Sequence, residues 1–424
     1  MSTVQNFSHN NVVNNKLSRM KEWRVPASIV AKRTKNPIRE IVYNMNVTPN
    51  PEKEYISLAL GDPTHYGNFK IHEKCIDAVI TQLKSYKANG YVPSVGVESA
   101  RIALAKKFST KEAPLTSEDI VLASGASDAL SLAISVLCNE GQNILLPRPG
   151  FSLYQTLSES KGIECRYYNL LPDRNWETDL DHLSSLIDDK TACLLINNPS
   201  NPCGSNFTRQ HLESILSLCE IYKLPVICDE IYEDMVYGDN IFYPLANLTK
   251  TVPILKISGL AKRYLIPGWR VGWIFIYDHN NILNEVRSGL ASLANLILGA
   301  NSLIQNALPD IIMNTPQSFH DETDKLLEEN AKLSANVLGK IPGLHVIVPQ
   351  GAMYMMVGIN IEEFKDINND IEFSEKLVQE ESVLCLPGKT FHYPNYVRIV
   401  TTAPADKLNE AYQRIKEFCA RYHV

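Results

Sequence analysis

The sequence predicts an α/β protein in which a large domain, built on a mostly parallel sheet with helices on both faces, is joined to a smaller α+β domain. Three observations predict this. From "YISLALGDPT" onward, short runs that are apolar throughout alternate with segments of helical period, which is how strands buried on both faces and their crossover helices read. After "DHNNILNEVRSGL" the pattern changes to longer helices with fewer strands. The chain has 424 residues and 45% apolar content, more than a single core usually holds.

Taken in order, residues 1–35 are polar, rich in asparagine and then basic, and read as an N-terminal segment that is partly disordered. Residues 36–70 read as an arm and a part of the small domain, with "NVTPNPEKE" as a loop because proline and asparagine crowd it. Residues 71–330 form the large domain. Its strands are "DIVLAS", "NILLPRPG", "CRYYNL", "TACLLINNPS", "LPVICDEIY", "VPILKISG" and "RVGWIFIY", with helices such as "SDALSLAISVLCN" and "QHLESILSLCEIY" between them. Residues 331–424 form the small C-terminal domain, with "LHVIVPQGAMYMMVGI", a helix near "EFSEKLVQEESV", the strand "VRIVTT" and a last helix.

Composition removes several functions. The net charge of −6, with both signs interspersed, leaves no basic footprint for nucleic acid and no cluster fit to hold a membrane surface. Nine cysteines without a CxxC pair, an odd number, point to a reducing compartment, with the cytoplasm as the default. Ten histidines occur without HExxH or a Cys/His cluster, so no metal is expected.

Chemistry in a parallel sheet collects beyond the carboxyl ends of its strands. In "LASGASDAL" small residues lead into a helix that Ser127 can cap, and its free amides suit a phosphate. In "NNPSNPCG" Asn201 has an amide to offer, with turn-building as the alternative. In "CDEIY" Asp229 ends a buried strand and needs a cation, while Glu230 is read as structural or solvated. In "KISGLAKRYLIPGWRVGW" Ser258, Lys262 and Arg270 fall between two apolar strands. A phosphorylated pyridine aldehyde accounts for all four: a lysine condenses with the aldehyde, an aspartate holds the ring nitrogen protonated, a phenol (Tyr232) and an amide meet the ring hydroxyl, and helix amides with an arginine meet the phosphate.

With these motifs in place, the chain resembles the fold-type I pyridoxal-phosphate aminotransferases over nearly its whole length. The matching stretches are "NPIREIV", "SLALGDPT", "NGYVPSVG", "PRPGFSLY", "NNPSNPCGSNF", "DEIYEDMVY", "GLAKRYLIPGWRVGW", "PQGAMYMMVGI" and "VRIVTT". The resemblance implies a seven-stranded type of sheet, pyridoxal 5'-phosphate as cofactor and a homodimer. It implies that Lys262 carries the cofactor, Asp229 pairs with its ring nitrogen, and Asn201 and Tyr232 hold its ring oxygen. Phe151 would stack on the ring, and Ala126, Ser127, Ser258 and Arg270 would surround the phosphate. Tyr91 would reach the phosphate of a neighbouring subunit, and Arg398 would grip the substrate α-carboxylate near the Gly61 amide.

The implied activity is transfer of the amino group of tyrosine, and of other aromatic amino acids, to 2-oxoglutarate. The alternatives are a broader donor range that includes alanine and methionine, or carbon–sulfur lyase chemistry on the same fold. Asn36, Ile38, Tyr66 and the segment "LANLILGANS" are the expected walls of the side-chain slot. No arginine stands near Asn295 and Leu296 to receive a distal carboxylate. A nicotinamide enzyme would need GxGxxG after a first strand, which this sequence lacks.

Overall fold

The computed structural model describes residues 25–45 and 47–424 of the protein. For residues 1–24, the disorder expected of the N-terminal segment lies outside the described residues. After the short strand β1 (Ile56–Ser57), the chain forms β2 (Ile120–Ala123), β3 (Asn143–Arg148), β4 (Glu164–Leu171), β5 (Glu177–Thr178), β6 (Thr191–Asn197), β7 (Val226–Asp229), β8 (Ile254–Gly259) and β9 (Gly272–Tyr277). In space these eight run β2-β9-β8-β7-β6-β3-β4-β5. The five strands β4, β3, β6, β7 and β8 are mutually parallel, whereas β9 is antiparallel to both its neighbours. The expected seven strands are present, and the sequence reading missed an eighth: β5, two residues long and antiparallel to β4.

Alternation along these strands divides the interior. Leu194, Ile196, Val226, Cys228 and Ile254 pack into one core, and Leu195, Ile227, Leu255 and Ile257 into the core on the other face. The helix Ala126–Leu137 belongs to the second face, where Ala129, Leu130 and Ala133 are buried. This division fixes which strand-end side chains can meet.

The smaller sheet contains β10 (Leu344–Val346), β11 (Tyr354–Ile359), β13 (Leu386–Pro387) and β14 (Tyr396–Val400), all antiparallel, in the order β10-β11-β14-β13. Near it, β12 (Val383–Leu384) pairs in parallel with β1, and Ile56 and Leu58 enter the same core as Met355, Val357 and Ile399. The boundary expected at residue 330 falls inside the continuous helix Gln317–Leu338. Among the described residues no helix is long and apolar enough to cross a membrane, and all nine cysteines are free.

Candidate active site

A cavity of about 320 Å³ opens beyond the carboxyl ends of β6 and β7, within the ~300–1,000 Å³ usual for small-molecule sites. Asp229, the last residue of β7, points into it from the second face and is 4% exposed. The Tyr154 phenol donates to its Oδ2 at 2.6 Å, and the Ile231 amide donates to Oδ1 at 3.2 Å. Burial pushes the Asp229 carboxyl up to about 6; these two hydrogen bonds and the nearby Lys262 oppose the shift. Among the described residues no basic side chain forms an ion pair with Asp229. It is a buried carboxylate that lines the cavity, and a cationic ring nitrogen there would pair with it.

Lys262 lies just past β8 and lines the same cavity, where its Nζ donates to the Gly61 carbonyl at 2.6 Å. At the end nearest the helix Ala126–Leu137, the amides of Ala126 and Ser127 donate to no described residue. Gly125 caps this helix with φ +81°, and a Cβ there would stand 2.6 Å from Nη2 of Arg270. Two free amides, a helix dipole and a guanidinium thus meet at one end, the donor set that suits a phosphate. Phe151 lines the cavity beside Tyr154, with the rings edge to face.

Arg398, on β14, lines the cavity and is 3% exposed. Its Nη1 donates to Oδ1 of Asn201 at 2.9 Å and its Nη2 to the Ala59 carbonyl at 2.6 Å, while Nε is buried without a partner. The Asn201 amide N–H bonds to Asn197, which fixes the "NNPSNP" loop against the end of β7. Tyr232 closes the wall between Asp229 and Arg398. The residues therefore fit pyridoxal phosphate: a carboxylate for the ring nitrogen, a lysine, and donors at the phosphate end.

The structure corrects other expectations. Ser258 lies on the same face of β8 as Ile254 and Lys256, away from Asp229, and its Oγ donates to Glu233 at 2.7 Å, so it does not join the phosphate end. Ser127 does not cap the helix: Gly125 is the cap residue, and no side chain bonds there. Asn36 caps the helix Pro37–Asn44 through the Arg39 amide and does not line the cavity, although Ile38, two residues on, does. Tyr66 bonds to the Ser57 backbone and packs on the small-domain core instead of forming a slot wall. Leu296, Ile297 and Leu298 of "LANLILGANS" are exposed and stand outside this chain's cavity. Tyr91, expected at the phosphate of a neighbouring subunit, is 94% exposed, which leaves that expectation uncorrected.

Three features went unread in the sequence. Tyr154 had a signal, since it follows Phe151 by three residues at the start of a helix. Tyr354 lines the cavity from β11, inside the quoted "GAMYMM". Behind the sheet, Lys256 reaches Glu230 at 2.9 Å and Glu233 at 2.6 Å, all three buried. Burial pushes the amine down, but the two carboxylates outweigh it and hold the lysine well above its usual range. Glu230 is thus structural, and the solvated alternative is excluded.

Comparison with known proteins adds to this geometry. Residues 53–415 match the family described as "Aminotransferase class I and II". The chain is 52% identical over 407 residues to a tyrosine aminotransferase of Bos taurus, covering 96% of this chain and 91% of the relative. It is 51% identical over 406 residues to that of Homo sapiens, covering 96% and 89%. The crystal structure of a tyrosine aminotransferase from Leishmania infantum superposes with a TM-score of 0.91 at 37% identity, covering 95% of this chain and all of that one.

Proposed function

We infer, because this chain belongs to the aminotransferase class I and II family, that it transfers the amino group of tyrosine to a 2-oxo acid, with pyridoxal phosphate held in the cavity around Lys262. The observation that carries the cofactor reading is Asp229, a buried carboxylate with no ion-pair partner among the described residues, lining with Lys262 one cavity of fitting size. The relatives' shared activity, at about half identity over nearly the whole chain, carries the donor assignment.

In this reading Asp229 holds the ring nitrogen, Asn201 and Tyr232 the ring oxygen, Phe151 the ring face, and Ala126, Ser127 and Arg270 the phosphate. Once bound at Lys262, the cofactor supplies an electron sink for the pair left when a substrate Cα loses its proton. The chain's own part is positioning and proton transfer. Arg398 meets the α-carboxylate with two parallel hydrogen bonds, for which its planar fork is suited. That contact turns the Cα–H toward Lys262, whose Nζ removes the proton as general base and returns it as general acid. Ile38 and Leu60, on the cavity wall, offer apolar surface to an aromatic side chain. The second substrate is proposed to be 2-oxoglutarate.

A homodimer is part of the proposal. The loop that follows Tyr91 is joined to the segment leading into the exposed stretch Leu296–Leu298, where the Ser94 hydroxyl donates to Asn295 at 2.7 Å. A partner's Tyr91 would then reach the phosphate end. The unpaired cysteines support the cytoplasm as the compartment.

The test is an absorption spectrum of the purified protein with pyridoxal phosphate. A visible band should form, bleach on addition of tyrosine and return with 2-oxoglutarate, and Lys262→Ala should abolish both the band and turnover. A protein that retains no such band once free cofactor has been removed refutes the reading.

A further inference from the structure

Tyr354 is where the two halves of the cavity touch. It opens β11 opposite Val400, which places it on the same face of the small sheet as Arg398, one diagonal step away. The Arg398 guanidinium carbon lies 4.6 Å from the centre of the Tyr354 ring and 5.0 Å from that of Phe391. The Tyr354 phenol oxygen stands 2.7 Å from that of Tyr232, which follows β7 of the large sheet, and the two rings meet edge to face at 88°. Gly61 makes room for this contact, since a Cβ there would stand 2.6 Å from the Tyr354 oxygen.

We propose that Tyr354 is a positioning residue that couples the substrate end of the site to the cofactor end: its ring holds the guanidinium of Arg398, and its hydroxyl donates to the oxygen of Tyr232. This rests on the reading that the cavity holds pyridoxal phosphate. A phenol has one proton. If Tyr232 donates to Tyr354, it has none left for the cavity; if Tyr354 donates instead, the Tyr232 hydroxyl is free to turn inward, and accepting one hydrogen bond strengthens the one it gives. The charged groups facing this pair are Asp229, Lys262 and Arg398. The Arg398 cation, 4.6 Å from the Tyr354 ring centre, lies closer than Lys262 does to that of Tyr232, 5.9 Å away, and buried Asp229 holds the Tyr232 proton more firmly, so Tyr354 is favoured as the donor.

Two substitutions separate ring from hydroxyl. Tyr354→Phe keeps the ring under Arg398 and removes the hydroxyl; Tyr354→Leu removes both. A weaker donor at Tyr232 leaves more negative charge on the cofactor's ring oxygen and raises the proton affinity of the bound cofactor. In Tyr354→Phe the pH midpoint of the visible band should therefore rise by about 0.5 unit, while affinity for 3-(4-hydroxyphenyl)propionate, an unreactive acid without an amino group, changes less than about twofold. In Tyr354→Leu that acid should bind roughly 10-fold more weakly as well. Gly61→Ala should reproduce the midpoint shift in the unsubstituted protein and add none in Tyr354→Phe, where the displaced hydroxyl is already gone.

An unchanged midpoint in Tyr354→Phe overturns the inference, as does undiminished binding of the acid by Tyr354→Leu. If Tyr354→Leu fails to fold, Tyr354→Phe and Gly61→Ala decide it. A visible band that forms but ignores Tyr354 removes only this inference; no band at all in the unsubstituted protein removes the cofactor reading and this inference with it.

Discussion

The phenol of Tyr154 holds Asp229 at 2.6 Å, so the carboxylate at the bottom of the cavity is oriented by a residue from the helix Leu153–Ser160 and not by its own strand. Tyr154→Phe keeps the ring and removes the proton donor. Without it, ionised Asp229 loses its strongest partner, and cofactor affinity is expected to fall about tenfold, the range of one hydrogen bond to a charged group. Spectral titration with pyridoxal phosphate measures this; unchanged affinity would show that the Ile231 amide alone is enough.

Asp229 also sets a pH dependence. Its carboxyl ionises at about 6 in the folded protein against 3.8 ordinarily. Between those values the folded state binds the proton that the unfolded state has released, so its contribution to stability declines as pH rises through this window. The difference of about two units corresponds to ~3 kcal/mol at full effect. Cofactor-free Asp229→Asn should therefore unfold at a higher temperature than the unsubstituted protein at pH 7.5, with the gap closing toward pH 4. Cofactor affinity of the unsubstituted protein should fall as pH drops below about 6, where Asp229 takes up its proton.

Arg398 separates substrate capture from cofactor capture. Arg398→Ala should leave the visible band in place and raise KM for tyrosine on the order of 100-fold, the loss of a bidentate charged contact. Arg398→Lys should recover only part of this, because an ammonium lacks the planar fork. Loss of the band with unchanged KM would contradict the role assigned to Arg398.

The buried cluster behind the sheet makes a different claim. Lys256→Met leaves Glu230 and Glu233 without their cation, and the urea midpoint should drop by the equivalent of ~3–5 kcal/mol. Adding Glu230→Gln and Glu233→Gln to that background should restore much of the loss. A Lys256→Met protein as stable as the unsubstituted one would mean that the carboxylates had found protons or other partners.

Much of the site was legible because polar residues at the ends of apolar strands have few structural reasons to be there. Asn201, Asp229, Tyr232, Lys262, Arg270 and Arg398 all line one cavity. Ser258 was misplaced for an equally physical reason. When a strand is buried on both faces, hydropathy no longer marks which face a residue takes, and only the pairing of β8 with β7 shows that Ser258 and Lys256 turn away from Asp229. Asn36 carried its own correction in the sequence, since asparagine followed by proline is a helix-start signal. Tyr354 and Glu233 had no such mark: their partners lie 122 and 23 residues away, and only the folded chain brings them together.

The triad of Lys256, Glu230 and Glu233 has a consequence for how this scaffold can change. It fastens the turn bearing Asp229 and Tyr232 to the strand leading to Lys262, and does so from the side that substrate never sees. Ile38 and Leu60, on the cavity wall, take no part in that fastening. Residues such as Ile38 and Leu60 can be exchanged to suit a different amino acid while the machinery behind them keeps its alignment, so new diets can evolve without relearning the chemistry.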